Sequence, residues 1–428
     1  MREAEEIEQY FDRLWPIMRS IMGPGVRESH EILKEIIPLE QFEVPTGTQV
    51  FDWEVPQEWR FKEAYVITPD GRKILDASIN TLHLVNYSTP FRGTVTRQEL
   101  DNHLHSRPDL PEAIPYVTSY YSPVWGFCIS QNERDQLPDG EYQVIIDTEL
   151  VDGSLTLSEC VLPGETDQEV FFSAYTCHPS LANNELSGPL VAAFLYRRLA
   201  ALPRRRMTYR FAFTTETIGT LCYLHKRGEL LKERMIAGYL FSCIGDSGAF
   251  TYKGSQKENT LSDRAASYVL NKISVSPPKF VDFDPVDGSD DRQYCSPGFD
   301  LPIGTISRTM YNQYSEYHTS LDNKDYVSFK ALSESVDACF DICRTLEANT
   351  TYERVNPHGE PRLGKRGLYP KMRIKQELDE MVSAMLWVCN MANGSHDLLS
   401  IAEKSGLSID TLDNAAKQCL EKGVLRSK

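Results

Sequence analysis

The sequence contains no uninterrupted apolar run of about 18 residues, the length that a membrane-spanning helix needs. Its opening stretch, MREAEEIEQYFDRLW, is charged and amphipathic, so it does not resemble a signal peptide. The ten cysteines are scattered through apolar segments and include no CxxC pair of the kind that holds structural zinc. Together these absences predict a cytoplasmic protein with reduced thiols in its core and no membrane partner.

Positive charge is also scarce. The 428 residues include 45 Lys and Arg against 61 Asp and Glu, a formal net charge of −16 at pH 7. This charge opposes nonspecific attraction to nucleic acid, and it favours a neutral or cationic small molecule such as a free amine. With 41% hydrophobic residues the chain can bury a large core, and its length predicts two or three domains.

Predicted strands and helices alternate from about Gln168 to Leu346, which indicates an α/β domain. The predicted strands are 170–175, 209–214, 239–243 and 303–307, and the predicted helices are 188–201, 218–234, 262–273 and 328–346. Such alternation predicts a mostly parallel sheet that is flanked by helices. Apolar spacing predicts two further helices, 3–22 and 27–37, near the start of the chain.

Short apolar runs punctuated by Gly, Pro and Asp lie between these two regions. Such spacing is typical of antiparallel β structure. We therefore predict a β-rich insert, residues 48–156, inside an α/β domain formed by residues 1–47 and 157–355. A Pro- and Gly-rich stretch, residues 356–370, then predicts a linker or an arm.

The tail, residues 371–428, predicts three helices and a winged helix-turn-helix domain. Gly406 is expected in the turn and Ser408 as the cap of the second helix of the motif. The segment carries eight Lys and Arg against eight Asp and Glu, and its presumed recognition helix includes Asp410 and Asp413. Because these acids would repel the phosphates of DNA, we expect a packing or dimerisation module rather than a DNA-binding domain. The protein is then a possible homo-oligomer.

Polar residues stand where predicted strands end. His178 follows strand 170–175, Glu216 follows 209–214 and Asp246 follows 239–243, while His318 lies in the loop EYHTSLDN before the long helix 328–346. The carboxyl ends of parallel strands share one edge of a sheet, where open α/β folds place their chemistry. We therefore expect the two histidines to meet across this edge and to hold a shared cation.

Two neighbouring loops supply further candidates. Asn184 and Glu185 follow His178 in a polar turn and are oxygen donors within reach of the same cation. The stretch GSDDRQY and the residue before His318 are interpreted as substrate-binding elements. Their members are Asp290, Asp291, Arg292 and Tyr317.

In its motifs the chain resembles the zinc aminopeptidase-like family of co-catalytic metallopeptidases, and more closely a bacterial branch with a β-rich insert and a C-terminal winged helix. The motifs that carry the resemblance are CHPSLAN, ETIG, GSDDRQY, EYHTSLD and RGLYP. The resemblance extends over nearly the whole chain. It implies an aminopeptidase-like sheet flanked by helices and, in the wider family, two zinc ions held by histidines and carboxylates.

Residue by residue, His178 and His318 match the two zinc-binding histidines of the family. Glu216 matches the general base. Asn184 falls on the aspartate that bridges the two ions, and Thr217 falls on a second glutamate, which is a ligand in the family.

The last family ligand, an aspartate, has no direct counterpart. The strict register puts Ser242 at its position, with Asp246 four residues beyond as a substitute. Because two close dications need negative charge between them, an amide in the bridge favours one zinc ion per chain. We expect His178, His318 and an oxygen of Asn184, Asp246 or Asp290 to hold it.

These expectations predict a metal-dependent amide or peptide hydrolase of aminopeptidase type that acts on a small aminoacyl or peptide-like substrate, with Glu216 as general base on a zinc-activated water. Two alternatives remain open. One is a metal-deficient protein that uses the same pocket for ligand binding or another acyl or amide reaction. The other is a regulator whose winged helix binds DNA while the body senses a ligand.

Overall fold

The structure is a computed structural model that describes residues 2–368 and 379–428. It contains two compact units. The first comprises Met1–Asp263 and Ser274–Asp337, and the second comprises Arg264–Ile273 and Ala338–Lys428. None of the described helices combines the length and the apolar character that crossing a membrane requires.

The helices follow in chain order. They are α1 (Arg2–Leu14), α2 (Pro24–Leu33), α3 (Arg97–Asp101), α4 (Gln131–Arg134), α5 (Ser187–Ala200), α6 (Ile218–Arg234), α7 (Leu261–Ile273), α8 (Asp291–Tyr294), α9 (Phe329–Ala348), α10 (Glu380–Met391), α11 (Leu398–Ser405) and α12 (Ile409–Glu421). Short 3-10 helices at Thr81–His83 and Leu363–Arg366 and a π-helical turn at Ala182–Leu186 complete the helical segments of the described chain.

The strands are mostly short outside the main sheet. They are β1 (Glu40–Pro45), β2 (Gln49–Val50), β3 (Trp53–Glu54), β4 (Glu58–Ile67), β5 (Lys73–Ile74), β6 (Phe91–Thr96), β7 (Leu104–His105), β8 (Phe127–Cys128), β9 (Glu141–Val151), β10 (Ser154–Leu162), β11 (Glu169–Tyr175), β12 (Thr208–Thr214), β13 (Met235–Phe241), β14 (Thr251–Lys253), β15 (Lys279–Val281), β16 (Ile303–Ser307), β17 (Thr351–Arg354), β18 (Asn393–Asp397) and β19 (Leu425–Ser427).

The first unit is built on an eight-stranded sheet in the order β1-β10-β12-β11-β13-β16-β14-β15. Its central strands β12, β11, β13 and β16 are parallel, and antiparallel strands extend it on both sides. Every residue of β11 and β12 is buried, as expected for parallel strands covered on both faces. The predicted α/β fold with a mostly parallel sheet is confirmed.

Apolar periodicity located the elements of this unit closely. Strand β16 and helix α6 have the predicted limits, and α5 begins one residue before its predicted start. The predicted helix 3–22 is wrong beyond Leu14, where α1 ends. Pro16 lacks a backbone N–H and disfavours the helical conformation of the residue before it, so the helix ends at this point.

The region predicted as a β-rich insert contains a four-stranded antiparallel sheet, β5-β4-β9-β6. Its core is continuous with that of the main sheet, because one hydrophobic cluster contains Trp59 and Val144 together with Leu157 and Phe171. The insert therefore packs against the α/β body within the first unit. The limits 48–156 themselves stay a prediction.

The second unit contains α10, α11 and α12 with the three-stranded sheet β18-β17-β19, as a winged helix requires. Gly406 ends α11 with a φ of 73°, and the Ser408 hydroxyl caps α12 by accepting the Thr411 N–H at 3.0 Å. The three predicted helices are confirmed. Lys371 and Leu378, where the predicted domain begins, lie outside the described residues, and its limits 371–428 stay a prediction.

Candidate active site

Three neighbouring parallel strands deliver polar residues to one edge of the main sheet. The loop after β11 carries His178, the turn after β12 carries Glu216, and β13 is followed directly by Ser242. Since β12, β11 and β13 are adjacent and parallel, their carboxyl ends lie side by side. The π-helical turn that follows His178 leads into α5, and such turns often occur at functional sites.

Four residues with side chains have an unusual backbone conformation at this edge. Ser180, Thr217, Cys243 and His318 all adopt positive φ, with values of 40°, 60°, 51° and 54°. Residues with a side chain rarely adopt this conformation, and they keep it only where surrounding contacts enforce it. Three of these residues follow the adjacent strands β11, β12 and β13, which points to this edge as the functional part of the first unit.

The two predicted histidines meet here. The ring centroids of His178 and His318 are 5.4 Å apart. The Nδ1 atom of His178 lies 2.7 Å from Glu185 Oε2, and its Nε2 atom lies 3.5 Å from Glu216 Oε2. The side chain of His178 is 5% exposed and that of Glu216 is 31% exposed, so the site opens to solvent at Glu216.

Arg19 neutralises the buried carboxylate behind His178. Its Nε atom donates a hydrogen bond to the His178 carbonyl oxygen at 3.0 Å and lies 3.8 Å from Glu185 Oε1, and both side chains are fully buried. Sequence reasoning missed Arg19, because the residue was placed within a predicted helix. Glu185, interpreted as an oxygen donor to a cation, instead orients the imidazole of His178.

The two imidazoles have opposite protonation tendencies. Burial lowers the pKa of His178, but the hydrogen bond and charge of Glu185, together with Glu216, outweigh it and leave that pKa above its ordinary value. Burial, and then the charge of His178, lower the pKa of His318 to about 3. His318 is therefore neutral at physiological pH and retains a nitrogen lone pair that can bind a metal.

A neutral hydrogen-bonded chain lies where the resemblance expects carboxylates. Asn184 Oδ1 is 3.1 Å from His318 Nε2, and Asn184 Nδ2 donates to the Tyr175 hydroxyl at 3.0 Å. That hydroxyl is 2.6 Å from Ser242 Oγ. The side chains of Asn184, Tyr175 and Ser242 form hydrogen bonds with one another and carry no negative charge. This part of the site is therefore not suited to a second dication.

Asp246, predicted as a metal ligand, has a different environment. Its carboxylate accepts hydrogen bonds from Asn183 Nδ2 at 3.0 Å, from Gly248 N at 2.7 Å, and from Thr309 N and Oγ1 at 2.9 and 2.7 Å. These four donors fill the carboxylate and fix the loop after β13. These contacts favour a role in supporting the loop, and the role of Asp246 as a metal ligand stays a prediction.

The GSDDRQY loop supports the turn that carries Glu216. Ser289 Oγ donates to Glu216 Oε1 at 2.6 Å, and Asp290 Oδ1 accepts the Thr217 N–H at 2.8 Å. Burial, and then the charge of Glu216, raise the pKa of Asp290 to about 8. Asp290 is fully buried, so it lies behind the base and not in a position to contact a substrate directly.

The remaining predicted substrate-binding residues differ in accessibility. Asp291 is buried and forms an ion pair with Lys253 Nζ at 2.8 Å, which stabilises the loop. Arg292 is exposed at the loop surface. Tyr317 is half-buried and stacks on His318, with ring centroids 4.0 Å apart. Arg292 and Tyr317 are thus the members of this set that solvent, and hence a substrate, can reach.

The insert contributes a residue that sequence reasoning missed. The ring of Tyr116 lies edge-on to both histidines, with centroid distances of 5.0 Å to His178 and 5.2 Å to His318. Its hydroxyl is 2.7 Å from the Tyr120 hydroxyl. A tyrosine in an irregular loop carries no periodic signal, and only the closure of the insert over the sheet edge brings it to the site.

Several side chains at this edge offer donor atoms that could hold a metal ion. In the described part of the chain, Cys177, His178 and Glu185 form a group of potential ligands, but burial raises the pKa of the Cys177 thiol well above its ordinary value, and metals bind the thiolate. A histidine that gives its Nδ1–H to a carboxylate, as His178 can, has the arrangement of a ligand that binds through Nε2. The Nε2 atoms of His178 and His318 and the Oδ1 atom of Asn184 are further donors at this edge that could hold a metal ion.

Comparisons with known proteins agree with this architecture. Residues 8–349 match the family model described as a domain of unknown function, DUF4910, and residues 350–427 match a winged helix-turn-helix model. A protein of Clostridium acetobutylicum is 41% identical over 411 residues, covering 96% of this chain and 94% of that protein. It bears the provisional name polysaccharide biosynthesis protein with aminopeptidase-like domain.

Two solved structures are also similar. A crystal structure from Clostridium acetobutylicum, provisionally called a peptidase, has a TM-score of 0.91 and 39% identity, covering 99% of this chain and 96% of that one. A zinc aminopeptidase from Bacillus subtilis has a TM-score of 0.57 and 14% identity, covering 80% of this chain and 93% of that one. The second likeness shows the fold alone.

Fold and site together define an aminopeptidase-like α/β protein with a C-terminal winged-helix domain. Within that class, the chain belongs to the DUF4910 family. The resemblance seen in the motifs is confirmed.

Proposed function

We propose that this protein is a metal-dependent amide or peptide hydrolase of aminopeptidase type that acts on a small aminoacyl or peptide-like substrate. The observation that carries the proposal is the meeting of two histidine rings, 5.4 Å apart, beside a partly exposed glutamate at the carboxyl edge of the sheet. One of these rings is also supported by a buried carboxylate and an arginine. Such support is typical of a metal ligand rather than of a packing residue.

The proposed ligands are His178 Nε2, His318 Nε2 and Asn184 Oδ1. A zinc ion held there would polarise the substrate carbonyl and acidify a water molecule. The neutral chain of Asn184, Tyr175 and Ser242 supports a stoichiometry of one ion per chain.

Glu216 is the proposed general base. Ser289 fixes its Oε1 atom through a 2.6 Å hydrogen bond, which leaves Oε2 to face the centre of the site. The carboxylate takes a proton from the attacking water and delivers it to the leaving nitrogen as the carbon–nitrogen bond breaks. Cys177 positions this turn, since its Sγ atom lies 3.3 Å from the Glu216 backbone nitrogen.

The insert and the loops restrict the substrate to a small molecule. Tyr116 and Tyr317 contact the histidines, and backbone hydrogen bonds tie the insert to the loop that carries His318. Arg292 and Tyr317 are proposed to contact the substrate because both are accessible. Asp290 and Asp291 are proposed to act indirectly, by holding the loop.

Metal analysis tests the proposal directly. Protein purified without chelator should contain about one zinc per chain, and His178→Ala and His318→Ala should each lose it. His358→Ala, at an exposed histidine of the second unit, is the matched control and should keep the metal. Absence of bound metal after zinc is supplied, together with no hydrolysis of aminoacyl p-nitroanilides, would contradict the proposal.

The neutral chain also favours a second candidate, a metal-free pocket that binds the same class of ligand. In that case His178, whose pKa lies above its ordinary value because Glu185 and Glu216 outweigh its burial, would favour its protonated form. Calorimetry distinguishes the two functions. Amino acid binding that is unchanged by chelator, with no zinc uptake, would support the metal-free pocket.

A further inference from the structure

A loop of the insert, residues 114–120, which we call the strap, lies beside the two histidines and carries Tyr116 and Tyr120. The Tyr116 N–H donates to the His318 carbonyl oxygen at 2.8 Å, and the Ser320 N–H donates to the Ile114 carbonyl oxygen at 2.9 Å. The Ile114 N–H in turn donates to Ser320 Oγ at 3.0 Å. These three hydrogen bonds join the strap to the loop that carries His318. They hold Tyr116 beside the two imidazoles.

The hydroxyl groups of Tyr116 and Tyr120 are 2.7 Å apart and half-buried. Two hydroxyls carry two protons, and the hydrogen bond between them uses one. Neither hydroxyl has another hydrogen-bond partner among residues 2–368 and 379–428, so one proton remains to be donated. Burial keeps the pKa of both phenols well above the ordinary value, and both therefore stay protonated at neutral pH.

Two other donor groups at this edge, those of Arg19 and Tyr175, are buried. The Arg19 guanidinium is fully buried and bonds to the Leu14 and His178 carbonyl oxygens. The Tyr175 hydroxyl belongs to the chain with Asn184 and Ser242. Unlike these two buried groups, the tyrosine pair is half-buried and, like Tyr317, can face a substrate that lies over the histidines.

We propose that Tyr116, supported by Tyr120, is a catalytic residue that donates a hydrogen bond to the carbonyl oxygen of the substrate as negative charge develops on it. This inference rests on the proposed function. Water oxygen bonds to the carbonyl carbon, the carbon–nitrogen bond breaks, and Glu216 carries the proton from the water to the leaving nitrogen. The phenol of Tyr116 keeps its own proton and stabilises the oxyanion through the hydrogen bond alone.

The first test compares three variants of the full chain with zinc supplied. Tyr116→Phe should lower kcat for aminoacyl p-nitroanilides by about 10²- to 10³-fold, because one oxyanion donor is lost while the ring and its packing remain. KM and the melting temperature should change little. Tyr120→Phe should have a smaller effect of about tenfold, and Tyr121→Phe, at the exposed neighbouring tyrosine, should have none.

The second test uses binding instead of turnover. An aminoalkyl boronic acid becomes tetrahedral and anionic in such sites, whereas the product amino acid does not. Calorimetry should show that Tyr116→Phe weakens the boronic acid by about 10²-fold and leaves the amino acid unchanged. Equal weakening of both ligands would show that Tyr116 only shapes the pocket, and would overturn the inference.

Failure of the inference is distinguishable from failure of the proposed function. If the wild-type chain hydrolyses the p-nitroanilides and Tyr116→Phe retains activity within about threefold, the function stands and the inference is wrong. If Tyr116→Phe loses activity together with several degrees of melting temperature, the role is structural and the inference is again wrong. If the wild-type chain neither hydrolyses nor binds these compounds, the proposed function falls and the inference falls with it.

Discussion

The sheet edge of the first unit and the winged helix of the second differ in how closely their residues keep to the usual backbone conformations. At the edge, four residues with side chains adopt positive φ, and a buried arginine faces a buried glutamate. In the second unit, each described residue with positive φ is a glycine, and helices begin at Ser408 and Asp397 caps. Departures of this kind are common at functional sites, and the described residues of the second unit show none of them.

The largest expected effect is on the rate at the sheet edge. Glu216→Gln should lower kcat by about 10²- to 10⁴-fold, because an amide cannot accept the proton from water. Steady-state hydrolysis of an aminoacyl p-nitroanilide measures the loss. The control is Glu380→Gln, at the exposed start of α10 in the second unit, which should leave the rate unchanged. Undiminished hydrolysis by Glu216→Gln would show that the base is another group.

The next effect concerns stability and compares two arginines. Arg19→Met should lower the free energy of unfolding by about 3–5 kcal/mol, because it leaves the buried Glu185 without its countercharge. Arg264→Met, which removes a bidentate ion pair with Asp397 in the second unit, should cost less, because each of those side chains is 20% exposed and water screens the remaining carboxylate. Urea denaturation measures both values.

A double variant sharpens the same comparison. Arg19→Met with Glu185→Gln should be less destabilised than the sum of the single variants, because the second change removes the stranded charge. If the two arginines cost the same, the contrast between the two regions does not extend to their ion pairs.

A smaller effect should appear as a pH dependence. His30 is fully buried between the hydroxyls of Thr176 and Ser158, and burial lowers its pKa from 6.5 to about 3. The unfolded chain therefore binds a proton at higher pH than the folded one, so stability present above pH 6.5 is lost as the pH falls towards 3. This single group contributes a slope of at most about 1.4 kcal/mol per pH unit.

Urea midpoints between about pH 6.5 and pH 4.5 measure this slope. His30→Gln should show a shallower decline than the wild-type chain, whatever its stability at neutral pH. His396→Gln, at a half-buried histidine of the second unit, is the comparison. Parallel slopes for the wild-type chain and His30→Gln would show that His30 does not carry the dependence.

The smallest effect tests the regular region. Ser408→Ala removes the hydroxyl that accepts the Thr411 N–H, and should lower stability by about 1 kcal/mol. Hydrolysis should be unaffected, because the cap belongs to the second unit. A loss of activity greater than twofold would show that the winged helix influences hydrolysis. It would contradict the view that the two regions act independently.

Much of the fold could be predicted because it depends on periodicity. Apolar residues at helical spacing gave α6 its limits, and a continuous apolar run marked β11. The error in the first helix shows the limit of this signal. The apolar spacing continues past Pro16, whereas the helix ends at Leu14. That error also concealed Arg19, which lies in the non-helical segment beyond α1.

The candidate site was predicted in part for a similar reason. His178 and Glu216 stand directly after strands, so their meeting follows from the parallel order of the sheet. Asp246 also follows a strand, but hydrogen bonds from Asn183 and Thr309 fill its carboxylate. Nothing local to Asp246 in the sequence distinguishes it from a ligand.

The sequence by itself determined which strands are buried, which residues stand at their carboxyl ends, and where the winged helix has its caps, because these depend on neighbours a few positions away. Only the tertiary structure decided that Arg19 supports Glu185, that Tyr116 reaches both histidines, and that Asn184 joins a neutral hydrogen-bonded chain. These contacts join distant segments through single polar side chains in irregular loops. Such side chains have no period, and their partners are fixed only when the sheet and the insert close together.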